Sequence, residues 1–209
     1  MFFPGSGAIR AESSASLVTD PSIDFVVLSG RAVAYPIYKY TYERRDPKVT
    51  SSWPEPTRLY TTMVQQVVTD ARRTLDYLAT RPDIDAGKMA YMGASWGARL
   101  APITIALDPR LKAGVLLMGG LGAGRPAPEV DTFNFAPRVH VPILMLNGDQ
   151  DFIFPLQTSQ RALFQTLATP VADKRHVLYP GGHEIAATQR SQIIQEVVGW
   201  LDRYLGRVQ

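Results

Sequence analysis

The sequence predicts a three-layer α/β sandwich, a mostly parallel sheet of about six strands with helices on both faces. Three observations predict it. Segments of strand and helix character alternate along the chain. The strand segments are short, continuous apolar runs, as expected when a sheet is covered on both sides. A length of 209 residues suits one domain over residues 1–209 and is short for two. No internal repeat, low-complexity tract or linker divides it.

Each element has a local signal. Phe2-Phe3 followed by Pro4-Gly5-Ser6-Gly7 reads as a strand end running into a glycine-rich turn. Residues from about Asp20 to Ser29 carry Ile23, Val26, Val27 and Leu28 and stop at Gly30, a short helix with its terminator. Ala32–Tyr35 reads as a short buried strand before Pro36, and Tyr38–Thr57, polar and interrupted by Trp53-Pro54-Glu55-Pro56, as a long surface loop. From Leu59 to Thr80 the positions Val64, Val67, Val68, Ala71, Leu75 and Leu78 recur at helical spacing until Arg81-Pro82. Strands are expected at Lys88–Gly93, Ala113–Met118, Val141–Leu146 and Arg175–Tyr179. Helices are expected at Ser95–Leu107, Leu156–Leu167 and Gln189–Leu205, with a Gly- and Pro-rich loop over Gly119–Pro137.

Composition removes several function classes. The net charge is +3, but the cations are interspersed with acids: Arg44-Arg45 lies between Glu43 and Asp46, and Arg72-Arg73 between Asp70 and Asp76. Nucleic-acid binding needs cations gathered on one face, so no nucleic-acid partner is expected. Cysteine is absent, which excludes disulfides, thiolate catalysis and cysteine metal sites while leaving the compartment open. No apolar run reaches the ~18 residues of a membrane span. Met1–Gly5 lacks the regions of a signal peptide, so a cytoplasmic location is the default expectation, and the chain reads as starting inside a fold.

The chemistry is concentrated in three places. Gly93-Ala94-Ser95-Trp96-Gly97 matches G-x-S-x-G where an expected strand meets an expected helix. A nucleophile on so sharp a turn forces the residues two before and two after it together, so both must be very small. The helix amino terminus also directs its positive end at a developing oxyanion. A serine hydroxyl needs a base, and the chain has three histidines. His140 and His176 fall at the starts of strands, the wrong end of a parallel sheet for catalysis. His183, in Gly181-Gly182-His183, follows the last strand at the carboxyl edge, where such sheets place their sites. An acid that orients the base is expected after the strand between them. Asn147-Gly148-Asp149-Gln150-Asp151 offers Asp151 first and Asp149 as the alternative, the latter able to cap the turn instead. The backbone N–H groups of Ser6 (or Gly7) and of Trp96 are the expected oxyanion donors, unless the first residues are a flexible tail.

Pro4-Gly5-Ser6-Gly7, Gly93–Gly97, Gly148–Asp151 and Gly181–His183, in that order, resemble the α/β-hydrolase superfamily, most closely its dienelactone-hydrolase-like and prolyl-oligopeptidase-like esterase branch. The stretch Asn147–Pro155 also resembles hydrolase modules fused behind bacterial Ser/Thr kinase domains. The resemblance covers nearly the whole chain and implies a serine hydrolase acting on carboxylic esters through Ser95, His183 and Asp151, with no metal or organic cofactor. A peptidase, a lactone or thioester hydrolase, a polysaccharide deacetylase or a silent binding module would share the scaffold. The chain departs from the family in lacking about two strands before the oxyanion loop and in having Pro4 where a histidine is usual. The absent strands would leave an open apolar edge at Phe2-Phe3, through which a homo-oligomer is expected. Trp53, Trp96, Phe133, Phe135, Phe152 and Phe154, from or near the two long loops and the expected turns, are candidates to line an acyl or alcohol pocket for a neutral ester.

Overall fold

The computed structural model of the chain describes residues 1–19 and 23–208. Among these residues, five parallel strands form the sheet in sequential order: β1 (Phe2–Phe3), β2 (Met89–Ala94), β3 (Leu111–Leu117), β4 (Ile143–Gly148) and β5 (Lys174–Tyr179). Between and after them come α1 (Gly7–Arg10), α2 (Asp24–Leu28), α3 (Arg58–Ala79), α4 (Trp96–Leu107), α5 (Thr132–Phe135), α6 (Arg161–Thr166), α7 (Ile185–Thr188) and α8 (Arg190–Leu205). The expected fold class holds, with one strand fewer than expected.

Alternate strand residues feed two cores. Phe3, Tyr91, Leu116, Ile143 and Met145 pack with the apolar face of α3 and with α4. Phe2, Met92, Val115, Leu117, Leu144 and Leu146 pack on the other face with α2 and α8. This period-two split is why the strand sequences read as unbroken apolar runs. The periodic positions of α3 turn inward, with Val67, Ala71 and Leu75 fully buried. Thr57 caps that helix by accepting the Tyr60 N–H, a contribution of about 1 kcal/mol. Helix α4 is enclosed from Trp96 to Ile105 and runs through the middle of its layer.

Four expectations change. Ala32–Tyr35 is not a strand; among the described residues its one backbone bond to the sheet is the Phe2 N–H to the Ala34 carbonyl, and Pro36 offers no further donor. Residues 38–57 are not wholly a surface loop, because Tyr38, Tyr40, Thr41, Tyr42 and Val49 are buried. Residues 119–137 contain helical turns, including α5. The helix expected from Leu156 opens as a π turn over Leu156–Gln160 before α6. Of the helix expected from Asp20, the part from Asp24 forms α2, and residues 20–22 lie outside the described residues.

The apolar edge expected to lie open is covered by the chain itself. Tyr38 donates its hydroxyl to the Phe2 carbonyl and stacks on Phe3 at 4.1 Å, and Tyr35 packs on Phe2 at 5.0 Å. Phe3 has no exposed surface and Phe2 almost none. The premise for oligomerising through bare Phe2-Phe3 therefore fails. Register places the site: Phe3 lies beside Gly93, Ala94 beside Leu117, Leu117 beside Leu146, and Gly148 beside Tyr179. The residues that follow β1, β2, β4 and β5 therefore emerge at one edge.

Candidate active site

Ser95 stands between β2 and α4 with φ 50° and ψ −105°, a backbone conformation that side-chain-bearing residues rarely adopt. Crowding around it explains the glycines. A Cβ on Gly93 would meet the Gly97 carbonyl carbon at 2.6 Å, and one on Gly97 would meet the Phe3 carbonyl oxygen at 2.3 Å. Three backbone bonds set the turn: Ser95 N–H to Leu117 O at 2.8 Å, Gly97 N–H to Pro4 O at 3.1 Å, and Arg99 N–H to Ser95 O at 2.9 Å. The buried Tyr91 hydroxyl adds a bond to Gly97 O at 2.8 Å.

Ser95 Oγ lies 2.9 Å from His183 Nε2, and His183 Nδ1 lies 2.8 Å from Asp151 Oδ2. The Asp151 side chain is fully buried, and its Oδ1 accepts the N–H groups of Ile153 and Phe154. Both oxygens of this carboxylate are thus held by hydrogen bonds. Asp149, the alternative, is exposed and accepts the Gly181 N–H at 3.1 Å, so it ties the two loops together. The loops are pressed close at Gly148, where a Cβ would fall 2.0 Å from the Gly182 carbonyl oxygen. His140 is exposed. His176 lies within β5 and bonds Asn147 Oδ1 at 3.1 Å.

Gly5 lies against Ser95, its notional Cβ 3.6 Å from the serine Cβ. The backbone N–H groups of Ser6 and Trp96 find no backbone acceptor among the described residues. Trp96 opens α4, and the first N–H groups of a helix lack intrahelical partners. Trp96 directly follows the serine, and Ser6 directly follows Gly5, which lies against it.

The aromatic residues divide. Phe152 is 82% exposed and lines, with Ile153 and His183, an open cavity of about 600 Å³. Phe133 lines a second cavity of about 420 Å³ beside α4. Trp53 is half exposed, although its neighbour Pro54 lines that second cavity. Phe135 is a correction: it is buried in the core under Arg138 and lines neither cavity. Trp96 is likewise enclosed, edge-on to Phe3. Phe154 is buried with its ring centroid 5.8 Å from that of His183. A further apolar cavity of about 580 Å³ sits at the amino ends of β1 and β2, away from Ser95.

Sequence reasoning missed Gln160. Its buried amide nitrogen donates to the carbonyls of Gly148 and Phe154 at 2.9 and 2.8 Å, the two ends of the loop carrying Asp151. The π turn that presents it carries no separate sequence signal, though such turns concentrate at functional sites.

The profile of the Dienelactone hydrolase family matches residues 32–199. The chain belongs to the dienelactone hydrolase family. A Salmonella typhimurium protein with the provisional name carboxymethylenebutenolidase is 32% identical to this family member over 130 residues, 60% of this chain and 46% of that relative. A protein of the same provisional name from Escherichia coli (strain K12) is 29% identical over 155 residues, 68% of this chain and 55% of the other. The chain spans about half the length of the curated relatives it matches. A crystal structure from Klebsiella pneumoniae, provisionally named a dienelactone hydrolase, superposes with TM-score 0.58 at 26% identity over 68% of this chain and 62% of that one. A cold-adapted esterase from an Arctic intertidal metagenomic library superposes with TM-score 0.64 over 98% of this chain and 82% of its own, a likeness of fold alone at 19% identity.

Proposed function

We propose that this dienelactone hydrolase family member hydrolyses carboxylic esters through an acyl-enzyme on Ser95. The observation that carries the reading is the 2.9 Å contact from Ser95 Oγ to His183 Nε2, made at a strained turn. Ser95 Oγ attacks the ester carbonyl carbon as its proton passes to His183 Nε2, and Asp151 holds the imidazolium so formed. The N–H groups of Ser6 and Trp96 receive the oxyanion. Collapse releases the alcohol, which takes its proton from His183. Water, deprotonated by His183, then attacks the acyl carbonyl, and His183 returns that proton to Ser95 Oγ as the carboxylic acid departs. The N–H groups of Ser6 and Trp96, without backbone acceptors among the described residues, and the buried, hydrogen-bonded Asp151 support this assignment over a silent scaffold.

The test is labelling with a fluorophosphonate probe, followed by nitrophenyl esters from two to about twelve carbons. Wild type is expected to label and Ser95→Ala not to, with hydrolysis falling at least about 10⁴-fold in the variant. Equal labelling of both proteins, or none of either, overturns the proposal.

A further inference from the structure

The cavity at the amino ends of β1 and β2 takes no part in the ester chemistry. Met89, on its wall, begins β2, and Ser95 directly follows the end of that strand, about 20 Å away along extended chain. A volume of about 580 Å³ is that of a small-molecule site.

Phe2, Val26, Leu78, Met92, Leu201 and Leu205 supply apolar walls. Backbone groups there pair with one another, Phe2 N–H with Ala34 O and Met92 N–H with Met1 O. Among the described residues, no enclosed side-chain atom without a hydrogen-bond partner belongs to the lining. The interior therefore asks no hydrogen bond of an occupant, and an apolar body suits it better than water.

The charges on the lining are Arg31, Lys88 and Arg207 against Asp83 and Asp85. Both carboxylates have partners: Asp83 accepts from Arg81 Nε and Nη2 at 2.8 and 2.6 Å, and Asp85 lies 3.6 Å from Lys88 Nζ. Asp202 serves two cations, Arg31 at 2.5 Å and Arg207 at 4.0 Å. Cations are thus in excess, and Arg207, with its side chain 89% exposed, is the most loosely held. A Cβ on Gly206 would lie 4.0 Å from Lys88 Nζ, so Lys88 reaches the residue beside Arg207. Both side chains are largely exposed and mark the open lip.

We propose that this cavity binds a medium-chain carboxylate amphiphile, its alkyl chain among the apolar walls and its carboxylate at Lys88 and Arg207. A dry cavity of about 150 Å³ already holds benzene, so a chain of about ten carbons fits here. The site stands apart from Ser95, and its occupancy does not depend on the ester reading.

Calorimetric titration with decanoate, and with decanol as its uncharged counterpart, tests the proposal. Wild type is expected to bind one decanoate with a Kd of about 10–100 µM. Ala90→Leu, which puts a larger side chain on the cavity wall, is expected to weaken both ligands at least about tenfold. The double variant Lys88→Glu, Arg207→Glu is expected to weaken decanoate at least about tenfold and decanol less than about threefold. No decanoate binding to wild type, or equal affinity in Ala90→Leu, overturns the proposal. An equal response of the two ligands to the charge reversal overturns it as well. Should Ala90→Leu fail to fold, the charge reversal decides, because both its residues are exposed. Sedimentation velocity is expected to be unchanged by decanoate; a dimer that decanoate splits gives the cavity to a second copy of the chain and overturns the proposal.

Discussion

The turn at Ser95 and the paired loops of Asp151 and His183 meet within hydrogen-bond distance, yet they are held differently. The turn is fixed by close backbone packing: Gly93 against Gly97, Gly97 against Phe3, and the Ser95 N–H on Leu117 O. The loops are fixed by hydrogen bonds reaching across gaps in sequence: Asp149 to Gly181, Gln150 N–H to Gly181 O, and Gln160 to Gly148 and Phe154. The Gly93–Gly97 exclusion acts within five residues and leaves a sequence trace, whereas ties between distant segments depend on which of them the sheet brings together. A mutation at the turn should therefore break folding and activity together, and one at the loops should change activity more than stability.

The sharpest separation is between the two carboxylates. Asp151→Asn is expected to lower kcat about 10³- to 10⁴-fold, because an amide cannot hold the imidazolium. Asp149→Asn should cost less than about tenfold, and steady-state ester hydrolysis by the two variants ranks them. The reverse order would reassign the acid.

Gly97→Ala tests the steric half of the comparison. A methyl group 2.3 Å from Phe3 O has no room, and a loss of about 3 kcal/mol or more is expected in urea unfolding. Gly7→Ala, with nothing within 4 Å of its Cβ, should stay within about 0.5 kcal/mol. Similar losses in both would show that packing does not set the turn.

Gln160→Met tests the other half. It keeps the volume but removes both donors, and kcat should fall about 10- to 100-fold as Asp151 loses its register. KM should change little. A variant with unaltered kcat would make Gln160 a stability residue only.

The smallest expected effect lies behind the loops. Burial, with a smaller push from Arg161, lowers the pKa of His176 from 6.5 to about 4. Unfolding releases it to protonate at the ordinary value. Stability is therefore full above pH 6.5, falls with pH below that, and bottoms out near pH 4. The imidazole is partly accessible, so the loss is about 1–2 kcal/mol. Thermal unfolding at pH 5 and 7.5 should show it, and His176→Gln should flatten the difference.

These contrasts also mark what was legible. Gly93-Ala94-Ser95-Trp96-Gly97 announces its geometry because the clash it avoids lies within five residues. His183 could be picked by elimination, and Asp151 by its place after β4. Gln160 left no signal, since a glutamine inside an expected helix reads as solvent-facing. Ala32–Tyr35 misled because an apolar run states burial without stating who pairs with its backbone. Phe135 misled because an aromatic residue in a Gly- and Pro-rich loop reads the same whether it faces a pocket or the core.

By itself, the sequence determined the alternation of strands and helices, their inward faces and the strained serine turn, since each follows from side-chain periodicity or short-range sterics. Tertiary structure alone decided that the segment 32–38 covers the β1 edge and which carboxylate reaches the imidazole. Those outcomes depend on distances between segments dozens of residues apart, and only the register of the assembled sheet fixes such distances.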